Sequence, residues 1–451
     1  MFRRSLGCLV QWLHRKDRKP ILLRGARQVG KTWLARELAR AEGVALMEVN
    51  FELRPEFKRA FDSLDPKAIL QSLGFMGMNP PLGTRTLWLF DEIQECPQAV
   101  TALRYFYEQM PELPIVATGS LLEFALSQAR LSMPVGRVES LWLGPMTFDE
   151  FLHAEGRADL AEHLANASPF AGESVLAAEQ AAKWLPSYFF CGGMPEAVKT
   201  WTQDHDTEAV GRAHLGLLQT YRQDFHKYAP RIKPSLAEAL FLKAPALVGN
   251  RFKYSHVDAT ARAAEVRPAV EALEKAGVIR LVSHTSASGL PLALDENPKI
   301  AKLMFIDVGL MHTALRISPE WIGHADLLAV HRGAVAEQFV AQELLASVHL
   351  GEEPSLHFWA RDALNSQAEV DFVIAAGPRV IPIEVKAGAT GSLKSLHSFL
   401  SSHPRTPFGV RLFNAAAAKH EEIYSLPLCY AGSLQQHVPR WAADFGAKIQ
   451  T

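Results

Sequence analysis

The chain has no apolar run approaching the roughly 18 residues of a spanning helix, so a membrane-crossing segment is not expected. It also has no surplus of one charge. Lys and Arg number 47 against 48 Asp and Glu, a formal net charge of −1. That balance excludes a uniformly basic nucleic-acid coat and an acidic disordered tail. Cysteine is scarce: Cys8, Cys96, Cys191 and Cys429 lie far apart, with no Cys-x-x-Cys spacing. Neither a zinc site nor a disulfide framework follows, and a reducing cytoplasm is the expected compartment. The 17 histidines include no His-Glu-x-x-His pair, and no Gly-x-Ser-x-Gly elbow or internal repeat is present. Residues 1–20 alternate basic and apolar groups, which reads as an amphipathic helix and not a secretion signal.

What remains is ordinary globular material, 48% apolar and 21% charged. At roughly 150 residues per domain, 451 residues suggest about three domains. Charge is blocked along the chain. Residues 1–60 carry 14 basic against 6 acidic groups, 141–180 carry 1 against 7, and 211–280 carry 12 against 6. Short apolar runs alternate with helical stretches from 20 to about 145. Strands are expected at 20–24, 45–50, 86–90 and 114–117, with helices at 31–41 and 99–109, a pattern that implies a parallel sheet covered by helices. Residues 147–225 read as helical, broken at Cys191-Gly-Gly-Met-Pro195. Residues 234–282 read as three helices, one of them at 255–263, and a strand. A turn-rich stretch at 283–291 follows. Beyond 333 come a helix (333–347), strands near 356–360, 368–375 and 380–386, a helix (391–402) and a strand (407–413).

Gly25-Ala26-Arg27-Gln28-Val29-Gly30-Lys31-Thr32 fits the phosphate-loop pattern at every fixed position, after an apolar strand and before a helix. Glycines let the main chain curl so that N–H groups converge on a phosphate, and the helix start adds a positive dipole end. Lys31 would contact the β- and γ-phosphates of ATP, and the Thr32 hydroxyl would ligate Mg²⁺. The acidic partner is Asp91, ending the strand Thr86–Phe90, expected beside the loop strand. Its neighbour Glu92 is placed to polarise an attacking water. In Ala117-Thr118-Gly119-Ser120, Ser120 is the favoured contact to that water or the γ-phosphate, ahead of Thr118. Arg137 would neutralise transition-state charge, in its own subunit or in a neighbour, if it is not a plain surface arginine. The trans arrangement would need a homo-oligomer.

These segments, with Leu143-Gly-Pro-Met-Thr-Phe-Asp-Glu-Phe151, resemble an AAA-like module of the large prokaryotic P-loop ATPase group. Cys191-Gly-Gly-Met-Pro-Glu196, Phe305-Ile-Asp-Val-Gly-Leu310 and Glu369-Val-Asp-Phe-Val-Ile374 resemble the subgroup whose C-terminal region is a domain of unknown function. The resemblance spans nearly the whole chain and implies ATP binding and hydrolysis without fixing a biological role.

Two further constellations lie downstream. A helix pair ahead of a strand at 278–282, with Arg267 and Lys275 on the second helix and Gly277 ending it, reads as a winged helix that meets DNA or serves as a structural unit. In the last domain, Glu384 and Lys386 share a strand face because side chains two apart point the same way. Asp371 reaches that face across a hairpin, and Glu337 approaches from the helix behind. Three carboxylates and a lysine suit Mg²⁺ or Mn²⁺ and the hydrolysis of a phosphodiester. Without a metal the carboxylates would repel one another. The set resembles the restriction-endonuclease-like core, whose signature is Asp followed by Glu-x-Lys, here Asp371 and Glu384-Val-Lys386, with Glu337 in the helical acidic place and Asp371 and Glu384 as metal ligands.

The expected architecture is therefore α/β, in four parts. An AAA-like P-loop domain occupies 1–146, a helical lid and connector 147–232, a winged-helix-like domain 233–300 and a restriction-endonuclease-like domain 301–451. The expected function is Mg-ATP hydrolysis acting on or regulated by DNA or RNA through the nuclease-like part. The alternative is a nucleotide-switched ATPase that docks a protein partner through a non-catalytic module.

Overall fold

A computed structural model describes residues 1–82, 85–119, 136–225, 232–317, 331–346, 350–361, 368–388 and 392–448, with no side-chain description at 331–332 and 446–448. Five strands form a first, wholly parallel sheet: β1 (Ile21–Arg24), β2 (Ala45–Asn50), β3 (Thr86–Asp91), β4 (Ile115–Thr118) and β5 (Glu139–Trp142). Their spatial order is β2-β3-β4-β1-β5. Period-two alternation sends alternate side chains to opposite faces. Ile21, Leu23, Leu87 and Leu89 enter the core shared with the helix Lys31–Ala41. Leu22, Trp88 and Phe90 enter a second core on the other face. There Phe61 and Phe106 meet the Phe90 ring edge-on, with centroids 5.4 and 5.8 Å away. Both faces are buried, so the strands read as apolar runs, as parallel strands do.

The order corrects one expectation. β3 is not beside β1; β4 lies between them. Three strand ends therefore meet at one edge of the sheet: the loop after β1, Asp91 at the end of β3 and Thr118 at the end of β4.

The middle of the chain is helical, including Phe148–Ala154, Leu185–Cys191, Pro195–Asp204 and Thr207–Asp224. The Cys-Gly-Gly break is a close-packed junction. A Cβ on Gly193 would lie 1.9 Å from the Met146 carbonyl oxygen, and one on Gly192 2.1 Å from Asp307 Oδ1. Asp307 Oδ2 accepts the Gly193 N–H at 2.7 Å, while its Oδ1 accepts the Leu310 N–H and caps the helix Val308–Ala314. Nearby, Glu343 accepts from the Phe148 N–H at 2.8 Å and the Tyr188 hydroxyl at 3.3 Å. Burial, with Asp149 close by, raises the Glu343 carboxyl to about 8. The conspicuous glycine and acidic motifs of the middle region thus join elements to one another.

The second sheet is mixed and eight-stranded: β6 (Ile279–Thr285), β7 (Glu296–Phe305), β8 (His357–Ala360), β9 (Glu369–Ala376), β10 (Arg379–Val385), β11 (Gly409–Phe413), β12 (Ala418–His420) and β13 (Ile423–Pro427). Its order is β12-β13-β11-β10-β9-β8-β6-β7. β9 and β10 form the expected antiparallel hairpin, with Ile383 opposite Phe372. Two expectations for 233–300 change. The helix drawn over 255–263 stops at Val257, because the Asp258 carboxylate captures the N–H groups of Thr260 and Ala261. The strand after the helix Ala263–Lys275 is also not part of a closed small unit. β6 pairs antiparallel with β7 and parallel with β8. The division drawn at residue 300 falls inside β7. An isolated two-stranded hairpin leaves open edges and is marginal alone, and β8 covers one of them.

No helix of the described residues is long and apolar enough to cross a membrane. All four cysteines are free thiols.

Candidate functional site

The loop between β1 and the helix Lys31–Ala41 curls through backbone conformations that favour glycine. Gly25 has φ 136° and Gly30 has φ 94°, while Gln28 is also left-handed at 62°. Gly25 has a second constraint, since a Cβ there would lie 2.1 Å from the Leu143 carbonyl oxygen. The outward carbonyls are held from behind. Tyr221 Oη donates to the Arg27 carbonyl at 3.0 Å, and Arg3 Nη1 donates to the Val29 carbonyl at 3.1 Å. In a trans peptide the following N–H points the opposite way, so Gln28 N–H and Gly30 N–H turn to the inner side of the curl.

Lys31 folds back over the loop. Its Nζ donates to the carbonyls of Gly25 at 2.9 Å and Ala26 at 2.7 Å, and the residue is buried. Burial pulls this ammonium down to about 8. Glu92 and Asp91 oppose the shift, and Arg27 adds to it. The loop therefore holds a buried cation whose desolvation Glu92 and Asp91 offset only in part.

Asp91 organises the other side. Its Oδ1 accepts from Thr32 Oγ1 at 2.9 Å and from the Thr118 hydroxyl, and its Oδ2 accepts from Asn50 Nδ2 at 2.9 Å. The carboxylate and the Thr32 hydroxyl are hard oxygen donors in direct contact, a set that fits Mg²⁺. Glu92 follows in a left-handed conformation, φ 52°, and its carboxylate accepts from Gln94 Nε2 at 2.6 Å. Arg36, on the same helix as Thr32, pairs with Glu48 at 2.7 Å and feels the charge of Asp91.

The structure thus brings Gly25 to Thr32, Asp91 and Glu92 to one sheet edge. Thr118, the less favoured of two residues in the sequence reading, is the one that touches Asp91. Ser120 lies outside the described residues. Arg137 is not brought to the loop. It precedes β5 and pairs with Glu108 at 2.9 Å, at the opposite edge of the sheet. A four-residue strand separates those edges by roughly 13 Å. Nothing in the sequence singled out Asn50; it ends a strand as Asp91 does, and that parallel is the signal that was there to read.

Loop and C-terminal half are in contact. Arg27 pairs with Asp224 at 2.5 Å, one turn along the helix from Tyr221. Gly277, left-handed at φ 72°, ends its helix as expected, and a Cβ there would press on Ala26 at 3.3 Å. Arg267 and Lys275 are exposed.

The second cluster is assembled around a residue that sequence reading missed. β9 and β10 place Asp371 and Glu384 on one face, and Asp371 Oδ2 accepts the Val385 N–H at 2.8 Å. Lys386 pairs with Glu384 at 2.5 Å. At the centre, however, sits Lys302 of β7. Its Nζ lies 2.7 Å from Glu369, 3.3 Å from Asp371 and 3.4 Å from Glu337. Burial and the Asp371 charge raise Glu337 to about 8 and Glu384 to about 7. Glu369 is lowered by Lys302 and Arg251, whose attraction outweighs its burial. Among the described residues no three His, Cys, Asp or Glu side chains are grouped to hold a metal. The four expected residues share one neighbourhood, but they do not fit a divalent ion as they stand.

Three family models match the chain: an AAA domain over residues 17–152, and domains of unknown function DUF8612 over 182–320 and DUF4143 over 332–428. No curated protein matches it. Among solved structures, the ORC2 protein of Aeropyrum pernix, as ADPNP–ADP complexes, is 14% identical, covers 70% of this chain and 93% of its own, and has a TM-score of 0.34. The RuvB Holliday junction branch migration motor of Thermotoga maritima is 16% identical, with 62% and 89% covered and a TM-score of 0.25. AMPPCP-bound DnaA of Aquifex aeolicus is 13% identical, with 61% and 89% covered and a TM-score of 0.23. TM-scores this low do not establish a shared overall architecture. The match over residues 17–152, together with the loop and the sheet edge described above, makes the N-terminal third of this chain an AAA-type P-loop domain.

Proposed function

We propose that the protein binds Mg-ATP at Gly25–Thr32 and hydrolyses it. The observation that carries this reading is the buried Lys31 ammonium curled over the loop, facing Asp91 with Thr32 and Thr118 on its carboxylate. Inward N–H groups and Lys31 receive the β- and γ-phosphates. Asp91 and Thr32 hold the Mg²⁺, which supplies charge neutralisation at the phosphates. Glu92 takes a proton from the attacking water, and Thr118 orients Asp91. Arg137, facing away from its own loop, serves a neighbouring copy if it acts at all, which makes a homo-oligomer part of this reading.

Nucleotide occupancy is passed on through Arg27. The loop segment that would enclose the phosphate carries the Asp224 ion pair and the Tyr221 hydrogen bond, both on the helix Thr207–Asp224. The working units are 1–146, 147–232 and, because β6 and β7 join the second sheet, a single unit from 233 to 451. The last, with its Asp371 and Glu384-Val-Lys386 hairpin, is a restriction-endonuclease-like module that meets DNA or RNA. The placement of Lys302 favours the second reading for that module, a non-catalytic docking surface whose partner is selected by the nucleotide state. Four free thiols suit the cytoplasm.

The test is phosphate release by wild type and Lys31→Ala, with and without DNA. Equal rates for the two proteins refute the ATPase. Stimulation of wild type by DNA supports the nucleic-acid reading, and a DNA-independent rate supports protein docking.

A further inference from the structure

A hydrolytic metal centre needs carboxylate oxygens with free lone pairs, grouped around a space that a cation can enter. In the C-terminal cluster an ammonium already stands in that space and engages three of the carboxylates. An ammonium has three N–H donors, and Lys302 has three carboxylates around it: Glu369, Asp371 and Glu337. The residue is 1% exposed, and its Nζ stands 5.4 Å over the Phe358 ring, whose face favours a cation. The neighbouring oxygens are also committed. Asp371 Oδ2 takes the Val385 N–H, Glu369 Oε2 takes Arg251, and Glu384 Oε1 takes Lys386. Of these side chains, Glu384 Oε2 is a buried oxygen without a hydrogen-bond partner. Mg²⁺ demands about six oxygens and would have to share this space with an ammonium that repels it.

We infer that Lys302 is the resident cation of this cluster, standing where a divalent metal would otherwise stand, so that the C-terminal unit takes up neither Mg²⁺ nor Mn²⁺ there. The carboxylates that sequence reading expected to repel one another are already compensated. Lys302 reaches them from β7, whose backbone is fixed by pairing with β6, Val282 opposite Lys302. The inference is independent of the ATPase reading, because it concerns a different sheet and no nucleotide.

The experiment uses the full chain without nucleotide. Free Mn²⁺ is followed by electron paramagnetic resonance for wild type and Asp371→Asn, both of which keep Asp91. Equal uptake is expected. One extra Mn²⁺ per chain in wild type, lost in Asp371→Asn, overturns the inference. So does metal-dependent DNA cleavage that Asp371→Asn abolishes. Lys302→Met leaves buried carboxylates facing one another and lowers the melting temperature in EDTA by about 5 °C or more. Mn²⁺ should restore that loss, and the restoration should vanish in the Lys302→Met, Asp371→Asn double variant. A Lys302→Met protein that Mn²⁺ does not rescue overturns the claim that the ammonium stands in a metal's place. If Lys302→Met does not fold, Lys302→Arg keeps the charge. Its melting temperature should respond to Mn²⁺ as that of wild type does; an Mn²⁺-dependent rise larger than that of wild type overturns the inference.

Discussion

The buried ammonium of Lys31 predicts how nucleotide affinity depends on pH. In the free protein, burial holds this group near 8, below its ordinary value of 10.5. A bound triphosphate places several negative charges against it and holds it protonated throughout this range. Binding above pH 8 must therefore take up one proton. With a free-state value of 8, the protonated fraction falls from about 0.9 at pH 7 to about 0.1 at pH 9, so affinity should fall about tenfold, or roughly 1.4 kcal/mol. A fluorescent ATP analogue titrated with Mg²⁺ from pH 7 to 9 measures this directly. Lys31→Arg keeps its charge over the range and should show a flat profile at its own affinity. Lys31→Met should be weak and equally flat. A tenfold fall that persists in Lys31→Met would refute the argument, because another group would then be titrating.

Three more outcomes are expected. Glu92→Gln should retain ATP binding while phosphate release drops by about 10²–10⁴-fold, the span of a lost general base; a wild-type rate removes Glu92 from the chemistry. Glu343 is held near 8 in the folded chain, above its unfolded value, so its stabilising contribution is complete at acid pH and is lost as pH rises through 8. Glu343→Gln should therefore gain on wild type between pH 5.5 and 9 by on the order of 2–3 kcal/mol, read from melts at both pH values, and a pH-independent gap would contradict this. Gly193→Ala drives a methyl group into the Met146 carbonyl, so soluble yield and melting temperature should collapse, whereas a wild-type melt would show that the junction relaxes.

The parts that sequence displayed well are those built from local rules. A glycine-rich turn between an apolar strand and a helix has few other uses, and so Gly25 to Thr32 could be read directly. Asp91 and Glu92 followed from an apolar run ending in acids, and the β9–β10 hairpin from alternation. What escaped depends on which strands become neighbours. The insertion of β4 between β1 and β3 puts Thr118 against Asp91, and no one-dimensional pattern states that order. β7 was missed because Glu-Asn-Pro-Lys-Ile-Ala-Lys lacks clean alternation, and Lys302 looked like any surface lysine until three carboxylates from one strand and a helix closed on it. The Cys-Gly-Gly and Phe-Ile-Asp motifs were visible as motifs, but only the fold shows that steric room at Gly192 and Gly193, and not ligand chemistry, explains them.

One contact reaches across almost the entire chain. Arg4 Nη1 donates to the Gly432 carbonyl at 3.1 Å, while its neighbour Arg3 supports the phosphate loop at Val29. During synthesis at roughly 5–20 residues per second, those partners are separated by about 20–90 s on the ribosome. The N-terminal helix waits that long for this contact. A ribosome-bound chain therefore carries Arg3 and Val29 together long before Arg4 can meet its C-terminal partner.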